Sequence, residues 1–300
     1  MRTKNRQKFD KICKNAMLAL VITLFVFLFA LFMMLVQRSQ LISDKFSLPE
    51  LLFSSKWDPQ KSMYGFFPAI VGTFLVTFLA MIIATPLSLF SSIYISEYAS
   101  KRIKSVLQSF IDVLAGIPSV VYGLCALLIL VPFVRDTLAP LFNIKTTGMC
   151  VFTAALVLSI MVIPIMISIS VESLHALPVG LREQFLSLGA TRLQLIETVL
   201  MRATGPGIIS GVILAFGRAF GETMAVAMVI GNKNILPESL FSPAQTLPSL
   251  IIGSFGEMMS VPEQQSALIF IALVLFLIIV LFNIISNYIL NRLRKRWRYE

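Results

Sequence analysis

Five stretches of this chain contain no Asp, Glu, Lys or Arg: 15–37, 62–96, 113–134, 146–171 and 264–291. A sixth, 203–232, is interrupted only by Arg218 and Glu222. About 20 apolar residues in a helix cross a bilayer core of about 30 Å. In lipid every backbone polar group must be satisfied internally, so apolar blocks of this length fold as membrane helices. The expected architecture is an all-α polytopic membrane protein with helices at 16–36, 67–94, 108–133, 149–171, 207–231 and 267–290. Composition supports it: the 300 residues are 57% apolar and 13% charged, against about 45–50% and about 25% in soluble domains. A soluble enzyme, a secreted disulfide scaffold and a disordered chain are excluded. The first block exceeds the roughly 7–15 apolar residues of a signal peptide and lacks a small-x-small cleavage site, so it reads as a retained helix.

Orientation follows from the basic loops, which stay on the cytoplasmic side. Six Lys and Arg precede the first helix, three lie in 95–107, three in 172–206 and five in the C-terminal tail. The opposite side carries seven: Arg38, Lys45, Lys56, Lys61, Arg135, Lys145 and Lys233. Both termini are therefore expected in the cytoplasm. The chain divides into a basic tail (1–15), helix 1 (16–36), an external loop (37–66), a core of five helices (67–290) with a cytoplasmic loop at 172–206, and a second basic tail (291–300). The net charge of +10 is explained by topology, and nucleic acid is not an expected partner. The external segments 37–65 and 232–266 are too short for globular domains but long enough for interfacial helices that close the outer face. Trp57, Tyr64, Phe66 and Phe67 fit an aromatic belt at the membrane interface.

Three prolines, Pro86, Pro118 and Pro164, fall inside expected helices. Each frees a backbone carbonyl and bends the rod. Close packing through small neighbours such as Gly116 and Gly123 and a hinge between two states are compatible readings. Arg218 and Glu222 are a sharper anomaly. On a continuous helix their spacing puts both on one face, one turn apart. An Arg at a membrane helix centre costs about 2.5–3.5 kcal/mol on insertion scales and is tolerated when it faces a bundle interior or a wet pathway. Two readings stand: a buried ion pair that orients the helix, or a cation lining a solute route with Glu222 as its counter-charge. A guanidinium fork suits an oxyanion. Asp112 is either a cap or interfacial residue, or a partner for a basic group in the bundle; His175 reads as an ordinary interfacial side chain.

The 172–206 loop is long but not disordered in character. Leu181, Phe185 and Leu188 recur at helical spacing, Gly189 can end that helix, and a second helical stretch runs from Thr191 to Val199. An apolar stripe on such a helix either docks in a partner's groove or lies on the membrane surface. There is no phosphate-binding Gly-x4-Gly-Lys-Ser/Thr loop, no zinc-protease motif and no nucleophile elbow. Cys13, Cys125 and Cys150 form no metal or disulfide pattern, and one histidine cannot build a metal site. Catalysis is not expected.

The run Glu183-Gln-Phe-Leu-Ser-Leu-Gly189-Ala-Thr-Arg192, with Ile196 and Val199-Leu200, resembles the cytoplasmic EAA loop of bacterial ABC importer permeases. Gln184 and Phe185 replace two alanines, and Met201 stands where proline is common. The segments Tyr94-Ile-Ser-Glu-Tyr98, Ala115-Gly-Ile-Pro-Ser-Val-Val-Tyr-Gly123 and Gly217-Arg-Ala-Phe-Gly-Glu-Thr223 are similar to the membrane subunits of phosphate-specific importers. The run Gly221–Asn232, Trp57-Asp-Pro59 and Gly72-Thr73 look like the PstC type. The resemblance covers about 55–290 and implies a type I ABC importer permease fold in the inner membrane. It further implies a PstA-type second permease, a homodimeric ATPase that uses the ATP, an extracytoplasmic phosphate-binding protein, and no cofactor on this chain. It assigns the substrate pathway to Arg218, Glu222, Ser119 and Tyr122, ATPase coupling to Leu181, Glu183, Phe185, Leu188 and Gly189, and bending to Pro86, Pro118 and Pro164. Other readings are a permease for molybdate or sulfate, an ion-coupled carrier or channel working without an ATPase, and a sensor.

Overall fold

The computed structural model describes residues 2–296, with side chains from 11 to 292; the basic side chains of the two tails beyond those limits lie outside the described residues. Among the described residues eleven longer helices are found, beside a one-turn 3-10 helix at Pro59–Lys61. They are α1 (Arg2–Lys45), α2 (Leu48–Phe53), α3 (Phe67–Tyr98), α4 (Lys101–Gly116), α5 (Ser119–Leu141), α6 (Val151–His175), α7 (Val179–Ser187), α8 (Arg192–Phe220), α9 (Met224–Val229), α10 (Leu247–Met258) and α11 (Pro262–Arg296). Six of them are long and apolar enough to cross a membrane: α1, α3, α5, α6, α8 and α11.

α6 is the most buried span, and none of the most apolar stretch of α1 is buried within the chain. The central core joins Val76, Ala80 and Ala84 of α3 to Leu158, Met161 and Val162 of α6, with Phe216 and Phe220 of α8 and Val226 of α9. Small residues bring the backbones together. A Cβ on Gly207 would lie 2.4 Å from the Ser173 hydroxyl oxygen, and one on Gly211 3.1 Å from Ile169, so α8 crosses α6 through a Gly-x-x-x-Gly pair.

The third span differs from the expected 108–133. The chain breaks at Ile117-Pro118, and the span begins only at Ser119. Proline has no N–H to donate and pushes the residue before it out of the helical region; Ile117 is extended, with φ −68° and ψ 130°. What precedes the break is a separate amphipathic helix. Leu107 and Ile111 of α4 pack towards Ile95, Ile167 and Val171, while Val106, Phe110 and Val113 are exposed. Asp112 lies within α4, not at its cap, and borders a polar crevice with Glu172 and His175. Pro86 and Pro164 are carried inside unbroken helices; a third such residue is Pro206 in α8.

At one end of the bundle α2, α10 and a two-stranded hairpin (β1, Trp57–Asp58; β2, Met63–Tyr64) form a cap. The short helices expected in 37–65 and 232–266 are α2 and α10. The aromatic belt is not found as such. Tyr64 and Phe66 are buried, Phe66 stacked on Phe270 with centroids 5.8 Å apart and Trp57 edge-on to Tyr64 at 6.1 Å. They are the core of the cap, because α11 and the end of α1 cover them.

Candidate functional site

Two interruptions of regular helix lie side by side. The first is the Pro118 break. It leaves the last carbonyls of α4 without helical partners, and the Tyr122 hydroxyl donates to the Leu114 carbonyl across it at 2.8 Å. Ser119 opens α5, half-buried. One turn on, a Cβ at Gly123 would lie 2.9 Å from the Ala225 Cα, so only glycine lets α5 approach α9 this closely.

The second interruption is Gly221-Glu222-Thr223, between α8 and α9. The expected single helix over 207–231 therefore does not hold, and neither does the one-turn spacing of Arg218 and Glu222. Arg218 occupies the last turn of α8, where the carbonyl ends of the helix favour a cation. Glu222 lies beyond the helix end, and its Oε1 accepts the Ala225 backbone N–H at 3.2 Å. No Arg218–Glu222 ion pair forms among the described residues. Glu222 instead ties the start of α9 to the break.

The orientation of Arg218 is set from behind. Phe216 and Phe220, on the other face of α8, are clamped by Phe78 at 5.5 Å, Phe74 at 5.1 Å and Phe282 at 4.1 Å. With that face pinned between α3 and α11, Arg218 is exposed on the surface of the chain. A permanent cation inside an apolar block is not stable against lipid tails. This surface must meet water, another chain or an anion. The structure thus brings Arg218, Glu222 and Tyr122 to one junction, with Ser119 at the start of the same α5 segment.

The α7 region lies at the opposite end of the spans from the cap. α7 contains no buried residue. Gly189 ends it with φ +85°, the left-handed conformation that glycine adopts without penalty, and its N–H donates to the Leu186 carbonyl at 3.0 Å. Thr191 and Gln194 form a reciprocal capping box that starts α8. The apolar stripe is split. Leu181 and Leu188 are exposed, Leu188 at 83%, as is Glu183. Phe185 instead turns inward onto a cluster of Leu174, Leu195, Ile196 and Leu200, so it anchors the helix and contributes less to its outer surface.

The sequence gives no sign that Glu97, Arg182 and Arg192 meet: the two arginines read only as basic residues of a cytoplasmic loop. Arg182 Nη2 lies 3.2 Å from Glu97 Oε1 and donates to the Leu174 carbonyl at 2.6 Å; Arg192 donates to the Glu97 carbonyl at 3.1 Å. Glu97 stands within a quoted motif, but nothing in a linear reading connects it to Arg182. The Gly207/Gly211 crossing, by contrast, carries a small-x-x-x-small signature that a helix-packing scan finds.

The fold and the two junctions define a class, a multi-pass helical membrane protein with the fold of type I ABC importer permeases. A solved permease fold of this kind, from a bacterial ABC transporter that imports the acidic polysaccharide alginate, superposes with a TM-score of 0.62 at 17% identity, over 96% of this chain and 99% of that one. Residues 84–299 match the family described as binding-protein-dependent transport system inner membrane component, and the chain belongs to that family. Among its relatives, the probable ABC transporter permease protein YqgH of Bacillus subtilis is 41% identical over 81% of this chain and 78% of its own length. The probable phosphate transport system permease protein PstC of Methanocaldococcus jannaschii is 39% identical over 83% and 82%.

Proposed function

We propose that this chain is the PstC-type permease subunit of an ATP-driven importer of inorganic phosphate in the cytoplasmic membrane. The observation that carries the reading is Arg218: a permanent cation inside an apolar block, held outward by an aromatic clamp, beside two helix breaks, and without a carboxylate partner among the described residues. A phosphate oxyanion is a bidentate acceptor for such a fork. The names of the relatives support phosphate as the anion.

In this reading both termini face the cytoplasm, as the basic loops indicate, and the cap faces outward to receive substrate from an extracytoplasmic phosphate-binding protein. A PstA-type subunit covers the Arg218 face, so that the anion passes between the two permeases. A homodimeric ATPase binds the ATP, and this chain carries no cofactor. Closure of the ATPase moves α7, and the motion reaches the breaks at Pro118 and Gly221–Thr223, where helices bend without losing backbone hydrogen bonds to lipid. Tyr122 and Ser119 line the pathway, and Glu222 holds the geometry of the α8–α9 turn.

The test is uptake of radiolabelled phosphate at low concentration in cells with and without this chain, with unlabelled sulfate and molybdate as competitors. Loss of uptake without the chain, insensitive to both competitors, is the expected result. Competition by either would move the assignment to a broader oxyanion permease, and uptake that persists without any ATPase would point to an ion-coupled carrier. Arg218→Ala is expected to assemble normally and abolish uptake; normal uptake in that variant would remove Arg218 from the pathway.

A further inference from the structure

α7 is held to the rest of the chain by very little. None of its residues is buried, and its inward attachments are Phe185 against the Leu174 cluster and the guanidinium of Arg182. The two differ in kind. An apolar contact is non-directional and lets one surface slide on another. A guanidinium that donates to a fixed carbonyl beside a fixed carboxylate has a preferred position. Its two partners belong to different spans: it forms an ion pair with the Glu97 carboxylate in the last turn of α3 and a hydrogen bond to the Leu174 carbonyl near the end of α6. Glu97 is itself held, by the Ser96 hydroxyl at 2.8 Å on its carboxylate and by Arg192 of α8 on its carbonyl. The ends of three spans therefore converge on one ion pair that also grips α7.

The pair is largely withdrawn from water, with side-chain exposures of 18% for Arg182 and 10% for Glu97. Such a pair is weak evidence for stability, because desolvation offsets much of the attraction; fixing register is the better-attested use. Arg182 Nε is buried without a hydrogen-bond partner, a cost that further argues against a role in stability alone.

We propose that Glu97 and Arg182 are positioning residues that act as a strut, delivering displacement of α7 to the ends of α3 and α6. This rests on the reading of the chain as the permease of an ATP-driven phosphate importer. With the strut broken, α7 still docks through its exposed side but slides on Phe185, and ATP hydrolysis no longer drives the spans in step.

The experiment reconstitutes the whole importer in proteoliposomes and measures phosphate uptake and ATP hydrolysis together. Glu97→Gln and Arg182→Gln are each expected to keep ATP hydrolysis while lowering phosphate moved per ATP about tenfold, within the usual range of coupling free energies. A single variant leaves one buried charge unpaired and can fail to assemble; the double variant E97Q/R182M removes both charges and relieves that penalty. It is expected to assemble and remain uncoupled, no worse than the weaker single variant. Wild-type uptake per ATP in the double variant would overturn the strut and leave the transport reading intact. Absence of uptake in the wild-type importer would overturn the transport reading, and the strut with it.

Discussion

The two ends of the bundle are built in opposite ways. The cap buries Ile42, Leu51, Phe66, Leu247, Leu250 and Ile271 completely, and these come from four helices and the loop before α3. Its backbone is cross-tied: Ile42 N–H donates to the Ser266 hydroxyl, which donates to the Arg38 carbonyl, and Leu247 N–H donates to the Thr73 hydroxyl. Lys45 pairs with Glu263 above them. The α7 end has four buried apolar residues beneath a helix that buries none of its own. Local stability follows buried contacts, so the cap is a fixed end and the α7 region one that can be displaced at low cost. In the proposed mechanism, a bundle with one rigid end and one compliant end turns a push at the compliant end into a change of shape between them, at the Pro118 and Gly221–Thr223 breaks.

The contrast is broken most severely at Phe66. Phe66→Ala is expected to cost about 3–5 kcal/mol, the usual range for a fully buried aromatic, and to lower the thermal midpoint of the purified protein sharply. A loss below about 1 kcal/mol would mean that the cap is looser than its packing indicates. Substitutions at the other end sharpen the comparison. Phe185→Asp, which puts a charge on the Leu174 cluster, is expected to cost about 1–2 kcal/mol and to reduce copurification of the ATPase. Leu188→Asp, at an almost fully exposed site, is expected to shift stability by no more than about 0.5 kcal/mol yet weaken the same copurification. Equal stability losses at Phe66 and Leu188 would erase the distinction between the ends. The smallest effect is at Tyr64, whose phenol burial and the nearby Glu263 carboxylate push up to about 12. The folded cap keeps that proton while the unfolded chain releases it near 10, so the contribution of Tyr64 is intact below pH 10 and is lost as pH rises towards 12. Alkaline difference absorbance should lose one late-ionising phenol in Tyr64→Phe; loss instead of a phenol that ionises near pH 10 would place Tyr64 in water.

Six spans are legible in the sequence because an uncharged block of sufficient length has few other folds available. The places where helices stop are less so. Hydropathy runs almost unchanged through Ile117-Pro118, so α4 and α5 read as one span, and the i,i+4 arithmetic at Arg218 and Glu222 presumes a helix that Gly221 ends. Trp57, Tyr64 and Phe66 read as an interface belt because nothing local announces that α11, over 200 positions away, will cover them. Arg218 is visible at once as a charge in the wrong solvent. Glu97 and Arg182 are not, since each alone is an ordinary residue near a membrane helix end. Gly189 is legible because its role is local and conformational.

The cap also has a consequence for how the chain is made. Its bond from Ile42 to Ser266 spans 224 positions, and Phe66 packs on Phe270, so it has the longest loops to close and is the slowest kind of contact to form. It cannot exist until the sixth span has left the ribosome and entered the bilayer. Until then α1, which buries none of its apolar stretch against the rest of the chain, stands as an independent helix in lipid. Closing the cap thus waits for α11, and a product truncated before α11 would leave Phe66 and its neighbours uncovered.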